Sequence, residues 1–326
     1  MNIKNDKLAY FSVDILFSEA LDFGLEEIAN AVSEDYPETA ISVHPVHAGK
    51  HIKTDEPVLG MLKPVDPRNG YVVTLNGLGA PDEEFRAADN SEIAWHSGGF
   101  AHCAIDALAS HTSYVSVSIQ TMDHSRGARF RAVRQLMAVS AVLAELPIAL
   151  GVLVHWSSHM IEPGFWVEGV KKAMRGELPL SQWISYRSGW VNAGNKSDML
   201  TSGYTKGLRS FVGYEVHLAS APIPPSDAKL LLKNVCSTIL QCETAPRNGD
   251  LLGLDNDPVK YKVRRSQNAK GTMDPVLVLM HPDIWAQDDG DVSRLLPNYP
   301  PTRRRNSHFR DRFVTRQLFP HLVPVN

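Results

Sequence analysis

Thr205-Lys206-Gly207-Leu208, Phe211-Val212-Gly213-Tyr214-Glu215-Val216 and, a helix length later, Asn248-Gly249-Asp250-Leu251-Leu252-Gly253 decide how this chain reads. Glycines followed by an alternating strand, an amphipathic helix and a second glycine turn describe a packed α/β unit whose turns need positive φ. They specify no reaction. Val212, Tyr214, Val216 and Leu218 alternate to one side of a strand, and Ser226 is placed to cap a helix bearing Leu231, Val235 and Ile239. Residues 259–263 then return as a strand. Upstream, residues 148–156 and 183–191 read as strands around a helix that opens at Pro163 and carries Trp166, Val170 and Met174. The order is β-α-β-β-α-β, the split βαβ of a ferredoxin-like unit.

The same order appears further upstream. Residues 8–17 form a strand, Leu21, Leu25, Ile28 and Val32 recur at helical spacing until Pro37, and residues 40–46 and 71–75 are strands. A helix over 95–109 and a strand over 114–120 complete the set. The expected fold is therefore α/β (α+β), two tandem ferredoxin-like units joined by a long helix. The boundaries are 1–122 for the first half, 123–147 for the connecting helix, 148–287 for the second half and 288–326 for an irregular tail rich in Pro and Arg. Phe130, Val133, Met137 and Ala141 line one face of the connecting helix, which Pro147 ends. Residues 276–280 add a strand. Two connections without periodicity, 48–69 and 192–210, are the first candidates for a binding surface.

Composition narrows function by exclusion. A chain of 326 residues, 43% hydrophobic and 21% charged, is long enough for a real core, and a net charge of −3 gives no general attraction for nucleic acid or an anionic membrane. Cys103, Cys236 and Cys242 form no C-x-x-C pair and read as reduced thiols, with Cys103 assigned to the core. Residues 1–6 are polar, and the longest apolar run, 132–154, is interrupted by Arg134, Gln135, Glu145 and Pro147, which places the chain in the cytoplasm.

The spacings of His44, His47 and His51, of His96 and His102, and of His155 and His159 do not by themselves bring three or four ligands to one point, so no metal is assigned. His102 and Asp106 share a helical face, where a structural hydrogen bond explains them as well as chemistry does. Nucleophile-elbow, P-loop and dinucleotide glycine motifs are missing from their strand-turn-helix contexts, and no cofactor is expected. Arg126, Arg129, Arg131 and Arg134 crowd a helix start, where the dipole disfavours cations, so a negative partner is expected to face them. Binding candidates are Lys206, Arg209, Glu215, Asp250, Arg126 and Arg129.

The Thr205 to Glu215 segment, with the Asn248-Gly249-Asp250 turn and Gly253, resembles the C-terminal signature of the bacterial domain-of-unknown-function 4261 family (DUF4261). There a T-x-G-L segment, an F-G-x-x-E strand and a D-G-D-T-x-G turn recur in order. Asn248 stands here for the first Asp and Leu251 for the Thr. The resemblance spans about residues 8–263 and implies a bacterial, cytoplasmic protein, with no activity to carry over. Two functions remain. One is a non-catalytic protein-binding module, an immunity protein against a cognate toxin or an adaptor to a secretion-system component. The other is a hydrolase or transferase whose dispersed site gathers Lys206, Arg209, Glu215 and Asp250 around the 192–215 loop. The residues favour binding.

Overall fold

Phe11, Val13, Ile15 and Phe17 alternate with Ser12, Asp14 and Leu16, and all of them are buried. A strand buried on both faces belongs inside a sheet with cover on each side. Accordingly β1 (Ala9–Phe17) is antiparallel to two neighbours, at residues 113–121 and 149–154. The computed structural model describes residues 9–21, 25–39, 41–44, 58–64, 72–76, 90–121, 123, 125–192, 199–242, 244–253, 259–266 and 275–283. The first sheet contains β1, β2 (Ile41–His44), β3 (Val58–Pro64), β4 (Val72–Asn76), β5 (Ser113–Thr121), β6 (Ala149–Val154) and β7 (His159–Ile161), in the order β2-β3-β4-β5-β1-β6-β7. The second contains β8 (Ser185–Asn192), β9 (Met199–Lys206), β10 (Glu215–Ala221), β11 (Leu251–Leu252), β12 (Tyr261–Ser266) and β13 (Val276–Met280), in the order β11-β12-β13-β10-β9-β8. Only β10 and β13 run parallel among the described strands.

Helices cover the apolar faces. α1 (Leu25–Asp35), α4 (Arg126–Ala144) and α5 (Pro163–Met174) lie over the Phe11, Val13, Ile15 side of the first sheet. α2 (Ser91–Ser97) and α3 (Ala101–Ser110) close the other face at one end, where Ile93, Ala104 and Leu108 meet Leu16, Leu153 and Met160. α6 (Leu180–Trp183) and α7 (Arg209–Val212) are single turns, and α8 (Pro225–Gln241) packs on β8, β9 and β10. No helix among the described residues is long and apolar enough to cross a membrane.

The mixed α+β class holds, and the arrangement differs from the expected one in specific ways. β1 lies between β5 and β6, so the strand expected to open the second half completes the first sheet. β3 falls within the expected 48–69 connection and inserts between β2 and β4, making a meander of β2 to β5. Eight residues of the expected 192–210 loop, 199–206, are β9. The expected connecting helix is an interior element: eleven of its 19 residues are buried, and it packs on β1, β5, α1 and α5. The expected 95–109 helix starts earlier and breaks at Gly98, giving α2 and α3. Residues 209–212 form a turn of helix, so Val212 precedes the strand in place of joining it. Ser226 lies inside α8, whose cap position is Pro224, because Pro225 suits the first helical turn, where no amide partner is needed. Cys103 is exposed, on the outer side of α3. The 288–326 tail lies outside the described residues.

One hydrophobic core spans both sheets, from Phe11 to Leu279. At their junction Phe130, Trp183, Phe211 and Phe11 form an aromatic chain. Phe130 and Trp183 centroids are 5.6 Å apart, Trp183 and Phe211 5.0 Å, and Phe211 and Phe11 5.4 Å. Trp183 sends its indole N–H to Met137 Sδ at 3.0 Å and Trp166 sends its own to Ser140 Oγ at 3.0 Å, so both buried donors find partners on α4. Phe211 touches the other three rings, Phe130 at 5.8 Å included, so its truncation removes three ring contacts. Phe211→Ala is expected to cost about 3–5 kcal/mol, seen as a lower urea midpoint at unchanged m-value.

Candidate functional site

Gly207 turns the chain out of β9 with φ 110°, and a Cβ there would lie 2.7 Å from the Trp183 carbonyl, so only glycine fits. The turn is held from outside by Glu215. Its Oε1 accepts the amides of Gly207 at 2.7 Å and Arg209 at 3.3 Å, and its Oε2 accepts the Leu208 amide at 3.2 Å and the Thr205 hydroxyl at 2.7 Å. Burial pushes the Glu215 carboxyl up to about 7, against the pull of these donors.

The other sequence candidates are placed as follows. Arg126 caps the end of α8, donating Nη1 to the carbonyls of Ile239, at 3.0 Å, and Cys242. Arg129 donates Nη1 to the Ser210 carbonyl at 2.9 Å. The negative partners of these two arginines are thus backbone carbonyls, those met by Arg126 belonging to the electronegative end of a helix. Asp250 accepts the Arg247 amide at 2.7 Å in a tight turn before β11. Since β11 is three strands from β10, Asp250 stands about 14 Å from Glu215 in the sheet direction and does not converge with it. Arg209 joins Glu215 through its amide, with its side chain exposed. Lys206 alone leads into a larger polar cluster, by pairing with Glu92 of α2.

That cluster lies where α2 meets β8 and β9. Ser185 and Lys206 are direct cross-strand partners, as are Arg187 and Tyr204, and His217 lies opposite Tyr204 on β10. Strand alternation puts these side chains on the face away from α8. Glu92 and His96, one helical turn apart, face them. Ser185 Oγ donates to the His96 carbonyl at 2.8 Å, and Ser97 Oγ accepts the Met160 amide at 2.9 Å, which ties α2 to β8 and to the edge of β7. Trp95 Nε1 donates to Tyr204 Oη at 3.3 Å, and the Arg187 guanidinium carbon lies 5.9 Å from the Trp95 ring centroid. Gly98 backs onto Arg187: a Cβ there would lie 2.8 Å from Nη1.

Electrostatics divides this cluster into fixed cations and neutral rings. Burial, aided by Lys206 and Arg187, lowers His96 to about 2. Burial lowers His159 to about 3 and His217 to about 4. Arg187 is lowered by burial to about 10 and stays charged at neutral pH. Its Nε and Nη2 are buried without a hydrogen-bond partner among the described residues. Sequence reasoning missed Trp95, Arg187 and Tyr204. The signal available was the Glu92/His96 spacing and the alternation of Ser185 and Arg187.

A second polar contact lies on the face of the first sheet opposite the core. Asp14, fully buried on β1, meets His155 Nε2 at 2.6 Å, beside the Ser12 and Ser116 hydroxyls 3.3 Å apart. No group of three His, Cys, Asp or Glu side chains among the described residues is arranged to hold a metal ion. Compared with known family models, curated proteins and solved structures, the chain gives no significant match.

Stability should depend on acid through opposing groups. A histidine held below its ordinary 6.5 takes up a proton on unfolding, so its contribution is whole above pH 6.5 and is lost as the pH drops to about 4 for His217, about 3 for His159 and about 2 for His96. Glu215, raised from 4.5, keeps a proton that the unfolded chain releases, so its contribution is whole below pH 4.5 and lost as pH rises to about 7. Near pH 5.5 the four groups together take up about two protons on unfolding. Glu215→Gln should destabilise the fold by about 2–4 kcal/mol, since an amide –NH₂ meets backbone donors. It should also steepen the stability slope by about one proton, ~1.4 kcal/mol per pH unit. Urea midpoints between pH 5 and 6.5 measure both, and an unchanged slope refutes the Glu215 assignment.

Proposed function

We propose that the chain is a protein-binding module, an immunity protein against a toxin or an adaptor, with its docking face centred on Trp95. The supporting observation is an exposed aromatic that is already ordered. Trp95 is 58% exposed, yet its N–H is held by Tyr204 and its ring lies against Arg187. Trp, Tyr and Arg are the residue types that dominate binding energy at protein interfaces, and a side chain fixed before docking loses less entropy on docking. The Arg187 guanidinium against the ring makes an acidic protein surface the complementary partner. The reading as a cytoplasmic member of the 4261 family belongs to the same proposal and rests on the Thr205 to Glu215 motif. Glu215 gives that motif a structural role, since its carboxylate closes the glycine turn.

The alternative of a hydrolase or transferase would need the Glu215 carboxylate and Asp250 to meet a substrate together. Each is engaged by backbone amides in a separate turn.

Co-expression with the product of a small adjacent toxin-like gene tests the proposal. A stoichiometric complex is expected, weakened about 30-fold by Trp95→Ala, equivalent to ~2 kcal/mol, with unchanged circular dichroism. A complex indifferent to Trp95→Ala moves the docking face elsewhere, and no complex at all overturns the immunity reading.

A further inference from the structure

We propose that Arg187, supported by Lys206, forms an oxyanion subsite beneath Trp95 that takes a single carboxylate or phosphate group. This deepens the binding-module reading and rests on it, because the same arginine underlies the docking tryptophan.

Arg187 carries a charge whose donors are not all matched among the described residues. A guanidinium has five N–H donors in a planar fork, and removing them from water without acceptors is unfavourable. Arg187 leaves two of its three nitrogens, Nε and Nη2, buried and without a hydrogen-bond partner among the described residues. Arg126 donates to two carbonyls and Lys206 is paired with Glu92, while Arg129 donates Nη1 to a carbonyl and leaves one nitrogen, Nε, unpartnered among the described residues, against two for Arg187. The fork geometry of arginine fits an oxyanion with two acceptor oxygens.

The surroundings favour an anion over the other ways of satisfying those donors. Glu92 is the carboxylate in contact with this cluster, and it already faces Lys206. Glu215 is held by the Gly207, Leu208 and Arg209 amides. His96 and His159 offer neutral rings at neutral pH and bring no negative charge. An incoming oxyanion therefore meets one unmatched cation, with a second cation nearby whose partner it does not displace.

Two features of shape bear on entry. Gly98 presents bare backbone to the guanidinium, and any side chain there would collide with Nη1. The Trp95 ring lies over the guanidinium and is itself more than half exposed. The subsite is sized for one group, the tip of an acidic side chain or a phosphate, and the rest of the ligand would lie on the outer surface of α2.

Titration of the full chain with inorganic phosphate and, separately, with glutarate tests this, with chloride holding ionic strength constant. Tryptophan fluorescence and melting temperature are the readouts. Saturable change with at least one probe, at ~millimolar concentration, is expected. Phosphate alone identifies a phosphate site, and glutarate, alone or with phosphate, identifies a carboxylate site. Arg187→Gln should weaken binding at least about tenfold, and Lys206→Gln by about threefold. Saturation by neither probe in the wild-type chain overturns the subsite, as does equal affinity in a folded Arg187→Gln variant. A chain that captures a protein partner but ignores both probes keeps its docking face and loses the subsite, so the two readings fail separately.

Discussion

Three backbone amides and a hydroxyl converge on the carboxylate of Glu215, and the turn they belong to ties the second sheet to the rest of the molecule. Desolvating a carboxylate is costly, and the donors of Gly207, Leu208, Arg209 and Thr205 offset that cost where water is excluded. Because the turn is fixed, α7 follows at a set angle, Phe211 enters the aromatic chain beside Trp183, and the Ser210 carbonyl reaches Arg129 on α4. Lys206, one residue before the turn, is thereby aimed at Glu92. The polar cluster under Trp95 inherits its geometry from this one capped turn. Its outer wall is set separately by the hydroxyls of Ser97 and Ser185, which fasten α2 to β7 and β8.

The electrostatic consequence is a division of labour among basic side chains. Arginine keeps its charge even when burial lowers its pKa to about 10, whereas the imidazoles of His96, His159 and His217 give theirs up. Three protonated histidines beside Arg187 and Lys206 would repel one another and the fixed cations. Neutral ones act as packing: His96 meets Tyr204 edge-on, with centroids 5.8 Å apart. Positive charge is thus concentrated at Arg187 and Lys206 in place of being spread across the seam.

How much of this was legible in the sequence depends on whether apolar periodicity marked the element. β13, residues 276–280, is buried throughout and reads directly as a strand, and α4 and α5 show helical spacing with Pro147 and Pro163 marking an end and a start. β9 shows neither signal. Its α8 face carries Thr201, Gly203 and Thr205, small enough for the helix to approach closely, and its other face carries Ser202, Tyr204 and Lys206. With no apolar face, a central strand looks like a loop. Glu215, Asp250, Arg126 and Arg129, singled out as binding candidates, all engage backbone groups in the fold, because carboxylates and guanidinium groups are also what a fold uses to cap backbone ends.

The site was harder to read than the fold for a reason of topology. Arg187 meets Tyr204 only through the pairing of β8 with β9, and it meets Trp95 only because α2, separated from β8 in sequence by β5, β6 and β7, packs across the junction. Sequence spacing reports neighbours on one helix or one strand. It could have found the Glu92/His96 turn and Ser185 with Arg187, but the convergence of α2, β8 and β9 is set by sheet order. That order in turn follows from β6 and β7 joining the first sheet: β7 brings its edge to Ser97, and α2, held there, is carried against the second sheet.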